Sequence, residues 1–131
     1  MEPRAYEFAT FYADISKGNF DLFSLRWIGG NEDPDIFEYV FHSQKVPPTG
    51  ANRGRFNSAK VDELIDHART ISNVPERRQT YVELQKILND ELPYIHLWYL
   101  DSVAVHQSRL FVPPISPDGS YDFLRSARLS P

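Results

Sequence analysis

Four acids crowd into one short stretch of this chain, Glu32, Asp33, Asp35 and Glu38. Oxygen ligands at that density are what a calcium ion takes, but an EF-hand loop needs ligands at alternate positions, a central Gly and a terminal Glu, and this spacing does not supply them. Helix capping and favourable first-turn charge account for the same residues more simply. The histidines, His42, His67, His96 and His106, show neither HxxxH nor HExxH spacing, so a metal site would have to be assembled from separate elements. Each reads as a structural His, with His67 on a helix surface and His96 on a strand face. No Ser stands in a GxSxG elbow and there is no Cys, which leaves a distant Ser/His/Asp triad as the one nucleophilic option. No catalytic residue and no metal ligand is assigned, and a non-enzyme is expected. No cofactor is called for.

Binding chemistry has better candidates. Arg26 sits on an otherwise apolar run, and a charge there must reach an edge or meet a carboxylate, since it cannot stay buried alone. A ligand carboxylate would be one such partner. Trp27, Trp98 and Tyr99 are large flat rings with polar handles, suited to the walls of a cleft and equally to a core. Asn52 and Arg53 precede Phe56 by a short turn, where Asn folds its side chain onto the local backbone, so a structural role is expected for them.

The elements that must position these residues follow from hydrophobic spacing. Ala5, Phe8, Ala9, Tyr12 and Ile15 recur at three and four residues, which predicts a helix over about 4–17, with Gly18 as a left-handed cap. Residues 19–28 switch to period two, with apolar side chains on both faces, as in a strand covered from both sides. Gly29-Gly30-Asn31 breaks that strand, and Asp33-Pro34 starts a helix with the stripe Ile36, Phe37, Val40 and Phe41. A strand that ends in such a turn and feeds a helix N-terminus is a common ligand seat in α/β proteins, which focuses binding on about Arg26 to Asp35.

The segment KVPPTGANRGR, 45–55, is a turn-rich connection. Ser58 is placed to cap a helix to about Ser72 with the stripe Val61, Leu64, Ile65, Ala68 and Ile71. Pro75 opens another to about Glu91 with Tyr81, Leu84, Ile87 and Leu88 inward. Residues 94–106, YIHLWYLDSVAVH, read as a long strand. Beyond Leu110, Pro113, Pro114, Pro117 and Gly119 predict loop.

With 131 residues, 41% hydrophobic and 24% charged, the composition supports a packed core rather than disorder. A net charge of −4 with scattered Lys and Arg disfavours nucleic acid as a partner. Zero Cys excludes disulfides and thiolate chemistry without fixing a compartment. The start MEPRAYEF lacks a signal-peptide pattern, and no window approaches the ~18 apolar residues of a membrane span.

Taken in order, GNFDLFSLRWIGG, DPDIFEYVF, the series Asn52, Phe56, Val61-Asp62 and Leu64-Ile65, then Arg78, Tyr81, Gln85, Ile87-Leu88, and LPYIHL resemble the C-terminal part of family 5 extracellular solute-binding proteins. These are the dipeptide, oligopeptide and nickel-complex receptors of ABC importers, and the resemblance covers about Ala5 to Val112. It implies an α/β fold, part of the C-terminal lobe of a type II periplasmic-binding-protein-like architecture. Residues 1–112 would form the partial lobe, and 113–131 a Pro-rich tail packing on a missing N-terminal lobe. It implies transport without chemistry, with a small, peptide-like solute and an ABC permease as partners. The location would be periplasmic or extracellular, with a lipid anchor one form of it, and the signal peptide would lie outside this piece. The alternative is a small-molecule-sensing regulatory domain of the same fold.

The resemblance also assigns a ligand wall: Arg26, Trp27, Ile28, Gly29, Gly30, Glu32, Trp98 and Tyr99. In peptide-binding members the strand end matching 25–28 offers its backbone to an extended peptide, as in strand addition. Trp27 matches a strand-end Trp. Many members then carry an Asp three residues later for the ligand's α-ammonium, and this chain has Gly30 there. Glu32 or Asp33 would have to replace it, or the ligand lacks an α-amine, or the first lobe supplies the acid. Arg26 replaces a small residue and points to a carboxylate-bearing ligand.

Overall fold

The computed structural model describes residues 2–27, 33–116 and 118–129. Contacts divide it into two units: a helical one, 2–25 with 34–95, and a second built around residues 96–129 that includes Arg26, Trp27 and Asp33.

In the helical unit, α1 runs Phe8–Lys17, α2 Ile36–Phe41, α3 Ala59–Thr70 and α4 Val74–Glu91. The start of α1 falls later than its periodicity suggests because the Glu7 carboxylate accepts from the amides of Ala9 and Thr10, which fixes the N-terminus there. Its end lies where Gly18 adopts φ +86°, a left-handed conformation that lets the Asn19 amide reach Asp14 O at 2.9 Å. The predicted inward stripe of α1 is only partly covered: Ile15 is 2% exposed, whereas Phe8 and Tyr12 are exposed.

The helices α3 and α4 form a hairpin. Asn73 caps α4 by accepting from the Glu76 amide at 3.0 Å, and Pro75 occupies the first turn, where its missing N–H costs nothing. Their facing stripes make the core, in which Val61, Ile65, Ala68 and Leu84 are wholly inaccessible, with α2 contributing Val40 and Phe41. Burying each large aliphatic side chain contributes roughly 1.5–3 kcal/mol. Aromatic edges close the end of this core: Phe41 meets Tyr94 at 5.4 Å and Phe56 at 6.5 Å, both near-perpendicular.

The connection 45–55 is ordered from within. Asn52, 1% exposed, donates from Nδ2 to His42 O (3.2 Å) and Phe56 O (2.7 Å) and accepts the Phe56 amide on Oδ1 (2.8 Å). The Asn52 and Ala51 amides reach Lys45 O and Tyr39 O. Gly50 is required by proximity, since a Cβ there would lie 2.4 Å from Lys45 O. Arg53 stacks over the Tyr12 ring at 5.0 Å and donates to its hydroxyl at 3.0 Å, tying α1 to this loop.

In the second unit, the short strands β1, Leu110–Phe111, and β2, Arg128–Leu129, pair antiparallel, with Leu110 opposite Leu129 and Phe111 opposite Arg128. The Arg128 guanidinium lies over the Phe111 ring at 4.8 Å. A 3₁₀ turn, Asp122–Ser126, leads into β2. Asp118 accepts the Ser120 amide, and hydrogen bonds from Ser116 and then Ser120 hold its carboxyl below the usual range. The tail expected as loop thus has local order.

The two long strands expected at 19–28 and 94–106 are not ladders among the described residues; the sheet there is the β1–β2 pair alone. A strand needs a neighbour for its N–H and C=O groups, and period-two spacing supplies the side-chain pattern without supplying that neighbour.

Candidate ligand-binding site

Of the ligand wall expected from the sequence, Arg26, Trp27, Trp98 and Tyr99 fall in the second unit. Arg26 is exposed and Trp27 is 38% exposed. Ile28, Gly29, Gly30 and Glu32 lie outside the described residues. Trp98 is 72% exposed and Tyr99 fully so, and within this chain their rings present apolar area to solvent. They stand in a run in which Leu97, Leu100, Val103 and Val105 are exposed as well. An open depression in this unit is lined by Ser102, Ala104, His106 and the stretch Val112 to Ile115, so it uses none of the wall residues.

Asp35 and Glu38 of the acidic cluster take up cations from α3, α4 and the 45–55 connection. Glu38, 18% exposed at its side chain, meets Arg69 Nη1 at 2.6 Å and Lys45 Nζ at 3.1 Å. Asp35 lies 3.7 Å from Arg69 Nε and 3.8 Å from Arg77 Nη2. Arg77 also donates to Ala68 O and stacks on Tyr81. These pairs stitch α2 to α3 and α4, a role beyond the simple capping the sequence suggested, and Asp35 makes no side-chain cap bond to α2.

His42 is the buried histidine, at the C-cap of α2. Its Nδ1 accepts the Gln44 amide at 3.2 Å, so in the neutral ring the proton belongs on Nε2, which faces Asp66 Oδ1 at 3.5 Å. Asp62 Oδ1 stands 3.8 Å from Nδ1, and the Asp62 carboxylate accepts both the amide and the hydroxyl of Ser43. The arrangement is not a catalytic triad, because the Ser hydroxyl is given to the carboxylate rather than to the imidazole. Sequence reading missed this cluster; its signal was the i, i+4 spacing of Asp62 and Asp66 on α3, which sets two acids on one face. His67 and His96 are exposed, and the His106 ring lies 3.1 Å from Gln107 O. Among the described residues no group of three His, Cys, Asp or Glu gathers to hold a metal.

Tyr94 packs where α4 hands over to the following segment. Burial pushes its hydroxyl above the usual value of 10, while the adjacent Arg53 charge pulls the other way.

No family model matches the chain, and no solved structure does. Curated relatives do. The chain is 31% identical over 105 residues to the peptide transport periplasmic protein SapA of Haemophilus influenzae, covering 80% of this chain and 19% of that protein. It is 30% identical over 120 residues to di/tripeptide-binding protein 4 of Pseudomonas aeruginosa, covering 92% and 22%. Heme-binding protein A of Haemophilus influenzae is 30% identical over 94 residues, covering 71% and 17%. The chain thus spans about a fifth of the length of the curated relatives it matches. Two of these relatives are named as binding proteins and one as a peptide transport protein. Over most of its length the chain is therefore homologous to a segment of the family 5 peptide-binding proteins of the periplasm.

Proposed function

We propose that this chain is part of the C-terminal lobe of an ABC-importer solute receptor, which captures a peptide-like solute by closure of two lobes and presents it to a membrane permease. The observation that carries this reading is similarity across 92% of the chain to a di/tripeptide-binding protein, supported by matches to other peptide-binding periplasmic proteins. The location that follows is periplasmic, with a lipid anchor as one form of it. No bond is made or broken in such a receptor. Its work is to desolvate the solute between two surfaces, with binding energy spent on closure.

In this reading Arg26, Trp27, Ile28, Gly29, Gly30 and Glu32, with Trp98 and Tyr99, form one wall. Exposed aromatic rings support that role, since a surface that is half of a cleft must show apolar area until the solute and the other lobe cover it. Residues 113–131 would pack on the other lobe. Gly30 carries no carboxylate for a ligand ammonium, and a desolvated charge pair is worth ~2–5 kcal/mol when one partner is removed. In this reading Glu32, Asp33 or the other lobe supplies the acid, or the solute lacks an α-amine, while Arg26 takes a solute carboxylate.

The test is to express the complete reading frame in its native host, purify the protein without denaturation and identify any released ligand by mass spectrometry. A peptide or peptide-like acid at near-stoichiometric yield supports the reading. A protein that turns over a substrate, and loses that turnover on mutation of one Ser or Asp, overturns it.

A further inference from the structure

We draw no further inference here: the strongest candidate, the exposed apolar run from Leu97 to Val105 in the second unit, presents Trp98, Tyr99, Val103 and Val105 to solvent, but nothing in the structure shows what covers it.

Discussion

Replacing Asn52 by Ala removes more than one hydrogen bond. The side chain is 1% exposed and serves three backbone groups, His42 O, Phe56 O and the Phe56 amide, that have to be satisfied for the 45–55 connection to close against α2 and α3. A hydrogen bond contributes about 1 kcal/mol net, whereas a buried group left without one costs about 1–3 kcal/mol. Phe56 is only partly buried, so water can reach some of what is vacated. The expected loss is then about 3 kcal/mol, less than the sum of three full penalties. In urea, with a slope of about 2 kcal/mol/M for a chain of this size, that is a drop in midpoint of roughly 1.5 M. Asn52→Asp makes the reasoning sharper. It keeps an acceptor for the Phe56 amide but turns a second oxygen, charged, toward two carbonyls, so it should be no more stable than Asn52→Ala although it is nearly isosteric. The assay is equilibrium urea unfolding followed by far-UV circular dichroism. A midpoint shift for Asn52→Ala below about 0.3 M, or an Asp variant close to wild type, would refute the claim that this side chain organises the loop.

Gly50→Ala should destabilise by about 2 kcal/mol or more, because the added Cβ would meet Lys45 O at 2.4 Å and backbone must move; a thermal melt within 1–2 °C of wild type would contradict it. Gly18→Ala places a Cβ at φ +86° and should cost about 1 kcal/mol, read as the same urea midpoint and diminished if the α1 end frays. Tyr94 has its ionisation raised in the folded state by burial, so its contribution to stability is fully present below pH 10 and is lost as pH rises through the folded value; Tyr94→Phe should remove that alkaline decline, and an unchanged decline would assign it elsewhere. Arg26→Ala in the complete receptor should weaken solute binding at least tenfold if Arg26 holds a ligand carboxylate; equal affinity by calorimetry would remove it from the wall.

The helices were legible because their information is local. Stripes at three and four residues, Gly18 and Pro75 lie within a turn of what they determine, and α3 and α4 follow closely, although Ser58, at the N-cap of α3, makes no side-chain cap bond. Residues 19–28 and 94–106 carry an equally clean pattern, yet a ladder also needs a partner strand, which no pattern within the segment specifies. The stripe of α1 shows the same limit in a helix: Phe8 and Tyr12 have the right spacing for burial, but spacing does not provide the surface that would bury them. Of the candidate site, sequence reading singled out Trp27, Trp98 and Tyr99 and left core or cleft open for the two tryptophans; all three are exposed in this chain. It missed the ion pairs of Asp35 and Glu38 with Arg69 and Arg77, because those partners lie more than thirty residues apart and meet only once α2 docks on the α3–α4 hairpin.

The central claim, that this chain supplies one wall of a two-lobed receptor, is tested most directly by titrating a di- and tripeptide library into two proteins by calorimetry: the complete receptor and the 131-residue chain alone. The account predicts binding at about micromolar or tighter for the complete receptor and no tighter than about millimolar for the isolated chain, a gap of at least ~4 kcal/mol. Micromolar binding by the chain alone, or a folded complete receptor that takes up no peptide-like solute, would contradict it.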